Sequence, residues 1–134
     1  MIGLILSLCA SSRSDHYFNG GNLDAIVGKP LYGSGQCVAL VQHFTNVGRT
    51  GLWREGTKIT QSRYPRKGAA IATFFGGVYP SKPSGNHAAF FHSMTNSGMV
   101  VVDQWSSSGG VQKRTIRFTG KGGVNDASIY STIA

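Results

Sequence analysis

The stretch GSGQCVALVQHF, residues 33–44, passes from a glycine-rich turn into a segment whose apolar residues have helical spacing. Cys37, Leu40, Val41 and Phe44 fall at positions i, i+3, i+4 and i+7, which is one face of an α-helix. The pattern predicts a helix that begins at Cys37 and ends near residues 46–48. The preceding residues 12–35 contain several glycine-rich turns and are predicted to be mostly irregular.

Short apolar runs separated by turn residues follow in the second half of the chain and predict β-strands. The predicted strands are residues 69–75, 87–91, 99–105, 113–118 and 129–133, with turns at 97–98 and 106–110. Residues 49–67 are polar and basic, with Trp53 as the large apolar anchor, and predict a long loop with a short helical turn. One helix followed by closely spaced antiparallel strands indicates an α+β fold, with the helix packed on a small sheet.

Composition and charge narrow the choice of partner. The chain has 134 residues, of which 40% are hydrophobic, and this predicts a single domain over residues 1–134. Lys and Arg total 13 against five Asp and Glu, a net charge of +8, which favours an acidic partner over a neutral one. The densest basic clusters, residues 63–67 and 113–117, lack interleaved aromatic residues, so nucleic-acid recognition is not favoured. A solvated basic face is the alternative.

The first twelve residues, MIGLILSLCASS, form a short apolar run that is not long enough to span a bilayer. No basic residue precedes the run, which is atypical of a secretion signal. An apolar first strand or helix docked on the domain is the preferred interpretation, and a shortened signal or a cloning artefact are the alternatives. Cys9 and Cys37 are too few for a disulfide framework, and both are predicted to be free thiols.

Three residues suggest nucleophilic chemistry when they are taken together. Cys37 opens the predicted helix, where unpaired backbone N–H groups favour a thiolate. His87 begins a strand directly after a small-residue turn, and such an imidazole could accept and return the thiol proton. Asp103 interrupts an apolar strand one hairpin later, where a carboxylate needs a partner, and His87 would supply it. The backbone amides of Gln36 and Cys37, and the Gln36 side chain, are candidate donors to an oxyanion.

Each of these residues also has an ordinary structural interpretation. A lone cysteine in an amphipathic helix is most often part of the core. A lone histidine most often lies on the surface or has its hydrogen bonds satisfied without a catalytic role. Asp103 could instead cap a turn, or pair with Arg114 or Arg117 on the surface. Zinc binding by Cys37, His87 and Asp103 is not favoured, because no paired ligand motif is present. The remaining histidines, His16, His43 and His92, have no evident partner in the sequence.

The ordered segments GQCVALVQ, GLWREG, AAIATF, GNHAAFF and VVDQW, between residues 26 and 105, resemble the CHAP branch of the papain-like amidase superfamily, close to the NlpC-type cell-wall peptidases. The sequences of the cysteine and histidine segments, GQCVALVQ and GNHAAFF, further resemble those of the type VI secretion amidase effectors. Those proteins are delivered into rival bacteria to cut peptidoglycan peptides. The resemblance implies a papain-like fold with Cys37 as nucleophile, His87 as general base and Asp103 as the residue that orients His87.

The resemblance also implies a substrate and a setting. The expected activity is hydrolysis of an amide bond in a peptidoglycan stem or cross-link, with neither cofactor nor metal. The expected location is secreted, acting in the periplasm of a target Gram-negative cell, without stable membrane insertion. The basic charge would suit the anionic cell wall or an acidic immunity protein, and the type VI apparatus is a further expected partner. A housekeeping or phage-derived wall hydrolase, a non-catalytic wall-binding or adaptor domain and a charge-driven nucleic-acid binder remain the alternatives.

Overall fold

The computed structural model describes residues 15–80 and 82–134. In chain order the elements are a 3₁₀-helix (Leu23–Ile26), α1 (Cys37–His43), a 3₁₀-helix (Thr50–Leu52), β1 (Glu55–Lys58), β2 (Ala70–Thr73), β3 (Ala88–Thr95), β4 (Gly98–Asp103), β5 (Gln112–Ile116), a 3₁₀-helix (Ala127–Ile129) and β6 (Tyr130–Ile133). The apolar segment of residues 1–12, including Cys9, lies outside the described residues. The predictions made for that segment, and the single domain predicted for residues 1–134, therefore stay predictions.

The six strands form one sheet in the order β1-β6-β2-β3-β4-β5, and every neighbouring pair is antiparallel. The predicted α+β fold is confirmed: one short α-helix in the described part of the chain packs on an antiparallel sheet. The helix is shorter than predicted, because it ends at His43 and Phe44 already has non-helical backbone angles. The turn between β3 and β4 is at residues 96–97, one residue before the predicted position.

The main error of the sequence interpretation is β1. Residues 49–67 were expected to form a loop with a helical turn, and the turn is present at Thr50–Leu52, but Glu55–Lys58 also adds an edge strand beside β6. The sequence of β1 is EGTK, which has no apolar face, and its side chains are alternately half-buried and exposed. A polar edge strand carries no hydrophobic periodicity, so its pairing depends on the neighbouring strand.

The sheet is covered on both faces. On one face α1 contributes Leu40 and Val41 to a cluster with strand residues of β2, β3, β4 and β6: Ala70, Ala72, Ala88, Phe90, Val102 and Ile133. On the other face a second cluster contains Ile71, Ala89, Phe91, Met99, Val101, Ile116 and Tyr130. The central strands are buried on both sides, which explains why their sequences read as nearly continuous apolar runs. Three small alanines under the helix let α1 lie close to the sheet.

The β3–β4 register places two of the predicted site residues. Phe90 pairs with Val102, so Asp103 stands beside Ala89. His87 lies two residues before Ala89, which makes it the diagonal neighbour of Asp103 on the same face of the sheet. One hairpin therefore brings the imidazole and the carboxylate together.

The β4–β5 register places a third side chain on the same face. Asp103 pairs with Gln112, and Arg114 is two residues from that position. Arg114 is therefore the diagonal neighbour of Asp103 on the other side. The carboxylate at the end of β4 lies between an imidazole and a guanidinium because of strand register alone.

Gly98, which follows the turn between β3 and β4, leads to a prediction about stability. Gly98 has a φ of 156°, and a Cβ added there would meet the Ile116 carbonyl oxygen and lie 2.8 Å from the Cα of Arg117. Gly98→Ala is expected to lower the free energy of unfolding by about 2–4 kcal/mol, because backbone atoms cannot yield as a flexible side chain can. Urea unfolding measures the change. Gly51→Ala is the matched control, since that Cβ meets nothing within 4 Å and the backbone has no positive φ. An equal change in both variants would contradict the prediction.

Candidate functional site

The structure brings the three predicted site residues together. Cys37 is the first residue of α1, His87 directly precedes β3, and Asp103 is the last residue of β4. His87 Nε2 lies 2.7 Å from Asp103 Oδ2. Cys37 and His87 line the same open cleft, of about 400 Å³. The alternative in which Cys37 is a core residue does not hold, because the thiol borders this cleft and Leu40 and Val41 fill the core instead.

The orientation of His87 is set by its backbone as well as by its ring. The His87 N–H donates to Thr73 Oγ1 at 3.0 Å, and the Thr73 N–H donates to the His87 carbonyl oxygen at 3.0 Å. Thr73 belongs to β2, so the imidazole is attached to the centre of the sheet. Because Nε2 faces Asp103, Nδ1 is the ring nitrogen that remains for the thiol of Cys37.

Asp103 has two partners rather than one. The Arg114 guanidinium donates from Nη2 to Asp103 Oδ2 at 2.7 Å and from Nε to Oδ1 at 3.1 Å, while its face lies over the Trp105 ring at 4.9 Å. The two alternatives for Asp103, pairing with His87 and pairing with Arg114, are therefore both realised. Burial raises the pKa of Asp103, but the hydrogen bonds from His87 and Arg114 outweigh burial and hold it below its usual range.

The electrostatics of the site favour a thiolate beside an imidazolium. Burial raises the pKa of Cys37, but the His87 imidazole, the Ala88 backbone N–H and the Tyr79 hydroxyl together lower it below its ordinary value. Burial lowers the pKa of His87, but the hydrogen bonds to Asp103 and Cys37 raise it to about 9. Each group stabilises the charged form of the other, so the ion pair exists over the pH range between the two pKa values.

Gln104 is a residue to which sequence reasoning gave no role. Its fully buried side chain accepts the Tyr32 N–H at 2.8 Å and donates to the carbonyl oxygens of Tyr32 and Gln36, both at 2.9 Å. These contacts attach the loop before Cys37 to the strand that ends at Asp103. The only sequence signal was the position of Gln104, next to Asp103 in the VVDQW segment.

Tyr79 and Asn86 were also missed. The Tyr79 hydroxyl lies 3.9 Å from Cys37 Sγ and accepts a hydrogen bond from Asn86 Nδ2 at 3.0 Å. Both residues line the cleft, yet they belong to a segment with the turn composition of a loop, and composition does not show where a loop side chain points.

Gln36 lies on the wall of the cleft, as its predicted role requires. Its side chain makes no capping hydrogen bond to α1, and its backbone N–H donates to Ser34 Oγ at 3.4 Å. The Cys37 backbone N–H, as the first of the helix, has no intrahelical acceptor. The part of Gln36 in oxyanion binding stays a prediction.

His92 and two lysines of the basic clusters contact a different carboxylate, that of Asp24. His92, expected to lack a partner, lies with Nε2 2.9 Å from Asp24 Oδ1, so that expectation was wrong. Lys67 and Lys113, one from each basic cluster, also contact the Asp24 carboxylate at 2.9 Å, and their hydrogen bonds hold its pKa well below the usual range. Part of the basic surface is therefore neutralised within the protein. In residues 15–80 and 82–134, no group of three or more His, Cys, Asp or Glu side chains could hold a metal ion.

Comparison with known proteins gives consistent results. A family model described as "Domesticated amidase effector 2" matches residues 8–133. A "Type VI secretion amidase effector 2 protein" of Salmonella typhi is 40% identical over 98 residues, which cover 71% of this chain and 74% of the relative. A "Domesticated amidase effector 2" of Ixodes scapularis is 36% identical over 103 residues, which cover 72% of this chain and 69% of the relative. A solved structure of "Type 6 secretion amidase effector 2 (Tae2)" superposes with a TM-score of 0.76 at 33% identity, over 87% of this chain and 93% of that one.

The electrostatics of Cys37 and His87 predict the pH dependence of thiol reactivity. In a Cys9→Ser background, the rate at which iodoacetamide alkylates Cys37 is expected to have its midpoint at a lower pH than that of an ordinary cysteine, because the pKa of Cys37 is lowered. His87→Ala removes the imidazole that stabilises the thiolate and should move this midpoint to higher pH, with about a tenfold loss of rate below the midpoint for each pH unit of displacement. His43→Ala, an exposed histidine, is the control. An unchanged midpoint in His87→Ala would contradict the assignment.

The contacts of Gln104 predict its contribution to stability. Gln104→Leu keeps the volume but leaves two carbonyl groups and one N–H without their partner, so the free energy of unfolding should fall by about 3 kcal/mol. Gln61→Leu removes an exposed side chain that also donates to two carbonyl oxygens, and it should change stability by less than about 0.5 kcal/mol because water replaces the bonds. Urea unfolding of the two variants provides the comparison. Equal losses would show that burial of the Gln104 amide does not matter.

Proposed function

Because this chain belongs to the domesticated amidase effector 2 family, we propose that it is a cysteine amidase in which Cys37 is the nucleophile, His87 the general base and Asp103 the residue that orients His87. The observation that carries the proposal is the arrangement at the cleft wall. A thiol with a lowered pKa borders an imidazole whose second nitrogen is held 2.7 Å from a buried carboxylate. Nucleophile, base and orienting group are the three parts that acyl transfer by a cysteine requires.

The reaction proceeds by acyl transfer in two steps. The Cys37 thiolate attacks the carbonyl carbon of an amide bond and forms a tetrahedral intermediate. The former carbonyl oxygen becomes an oxyanion that accepts a hydrogen bond from the Cys37 backbone N–H. The His87 imidazolium gives its proton to the leaving amine as the C–N bond breaks, which leaves a thioester. His87, now neutral, takes one proton from water as the water oxygen attacks the thioester. The C–S bond then breaks and the thiolate returns, while the carboxylic acid product gives the second water proton to solvent as it leaves.

Asp103 remains a carboxylate throughout the cycle. His87 is charged before each amine leaves and neutral after it, and the Asp103 carboxylate holds the ring in one orientation through both states. When His87 is neutral, Asp103 has lost one of its two charged partners. Arg114 still donates to the carboxylate and keeps Asp103 ionised. The carboxylate therefore keeps a cationic partner at every stage of the reaction.

The substrate is the peptide part of peptidoglycan. The amide hydrolysed lies either in the stem, after D-glutamate, or in the cross-link that involves diaminopimelate. The net charge of +8 would attract the protein to an anionic cell wall. Lys82 adds a basic side chain to the wall of the cleft and suits an acidic peptide.

Delivery into a target cell follows the type VI secretion relative, and an acidic immunity protein is the expected partner in the producing cell. The setting that we propose is the periplasm of a rival Gram-negative bacterium. In the described ranges, no helix is long and apolar enough to cross a membrane. A second relative is named a domesticated amidase effector, which agrees with an amidase activity.

Digestion of purified Gram-negative peptidoglycan tests the proposal. Wild type and Cys9→Ser should release new peptide fragments, identified by mass spectrometry, whereas Cys37→Ala should release none above background, since loss of the nucleophile costs about 10⁴-fold or more in rate. The fragment masses identify the bond that is cut.

Two results would contradict the proposal. Cleavage by a folded Cys37→Ala protein would exclude the cysteine mechanism. Absence of cleavage by the folded wild type, together with sedimentation of the protein with the cell wall, would favour a non-catalytic wall-binding domain.

A further inference from the structure

The Tyr79 hydroxyl contacts the thiol but has no part in the proposed mechanism. It lies 3.9 Å from Cys37 Sγ at the wall of the same cleft. The residue is only 6% exposed, and its ring packs against Trp53 with 4.9 Å between ring centroids. The ring is therefore buried by packing, while the residue still lines the cleft.

Asn86 determines which way the hydroxyl hydrogen points. Asn86 Oδ1 accepts the Lys82 backbone N–H at 2.9 Å, which identifies the oxygen end of this amide. The opposite end, Nδ2, donates to Tyr79 Oη at 3.0 Å. Because Oη is an acceptor in that contact, its own hydrogen is free to point away from Asn86, towards Cys37.

We propose that Tyr79 donates its hydroxyl hydrogen to the oxyanion formed when Cys37 attacks the substrate, and that Asn86 is the positioning residue that directs this hydrogen. The inference rests on the proposed amidase function. The oxyanion is two bonds from the sulfur atom, so a donor 3.9 Å from Sγ is within hydrogen-bond reach of it when the C–O bond points towards Tyr79. Before the attack, the same hydrogen faces the thiolate.

The surroundings of Tyr79 keep it a donor. Burial, followed by the nearby Cys37 thiolate, raises the pKa of Tyr79 above its ordinary value, so the hydroxyl is protonated at neutral pH. A hydrogen bond that passes from sulfur to the substrate oxygen strengthens as the oxyanion forms, because negative charge moves to that oxygen. Tyr79 would complete a pair of donors with the Cys37 backbone N–H.

The test is the hydrolysis of a soluble peptidoglycan peptide by Tyr79→Phe, which keeps the ring and removes only the hydroxyl. We expect kcat to fall about 100-fold or more, with KM changed by less than about threefold, as for loss of one oxyanion donor. The maximum rate of Cys37 alkylation at high pH should stay within about twofold of wild type, because alkylation forms no oxyanion. Tyr64→Phe, an exposed tyrosine on the other face of the sheet, is the matched control and should leave kcat unchanged.

Asn86 is tested in the same assay through a double-mutant comparison. Asn86→Ala should lower kcat by less than Tyr79→Phe does, and the double variant should be no slower than Tyr79→Phe alone, because Asn86 acts through the hydroxyl. Additive losses would assign Asn86 a separate role and overturn this part of the inference.

The outcomes separate this inference from the proposed function. A Tyr79→Phe enzyme with a kcat within about threefold of wild type would overturn the assignment of Tyr79 and leave the cysteine mechanism intact. A parallel loss of hydrolysis and of maximum alkylation rate would likewise overturn it, because Tyr79 would then act on the thiol. A wild-type protein that is alkylated at Cys37 but hydrolyses nothing would overturn the proposed function itself.

Discussion

A fully buried carboxylate sets the requirements for the rest of the site. Asp103 ends β4 in the interior, where an unpaired charge would cost several kcal/mol. His87 and Arg114 remove that cost, and each lies one diagonal step from Asp103 in the sheet register. The order β3-β4-β5 in the sheet is therefore a condition for an ionised Asp103. Without it, His87 would lose the carboxylate that contacts Nε2 and the largest of the contributions that raise its pKa.

Asp103, the last residue of β4, and Gln104, which directly follows the strand, contact the two halves of the site. Asp103 contacts His87, while Gln104 contacts the loop that leads to Cys37. Successive side chains of an extended segment point to opposite faces, so this dipeptide can contact the imidazole from one side and the loop before Cys37 from the other. The distance between thiol and imidazole thus depends on a single rigid strand end rather than on two independent loops.

The sequence was sufficient for the parts of this structure that have a periodic or chemical signal. The helix at Cys37 and the strands around Phe90 and Val101 have apolar patterns that match burial, and an isolated Asp103 in such a strand required a partner. Strand β1 has no apolar pattern and was missed. The contacts of Gln104 and Tyr79 were also out of reach, because they depend on strand register and on the path of a loop. Both arise only from the packed structure.

The site residues are far apart in the chain. The thiol is at residue 37, its hydroxyl neighbour at 79, and the imidazole, carboxylate and guanidinium at 87, 103 and 114, so five separate segments must meet. Bringing these segments together costs loop-closure entropy, which the packing of the folded sheet must offset. An unfolded chain presents only an ordinary cysteine with an ordinary proton affinity. The hydrolytic site therefore exists only in the folded sheet, and a chain that is still being synthesised is inactive.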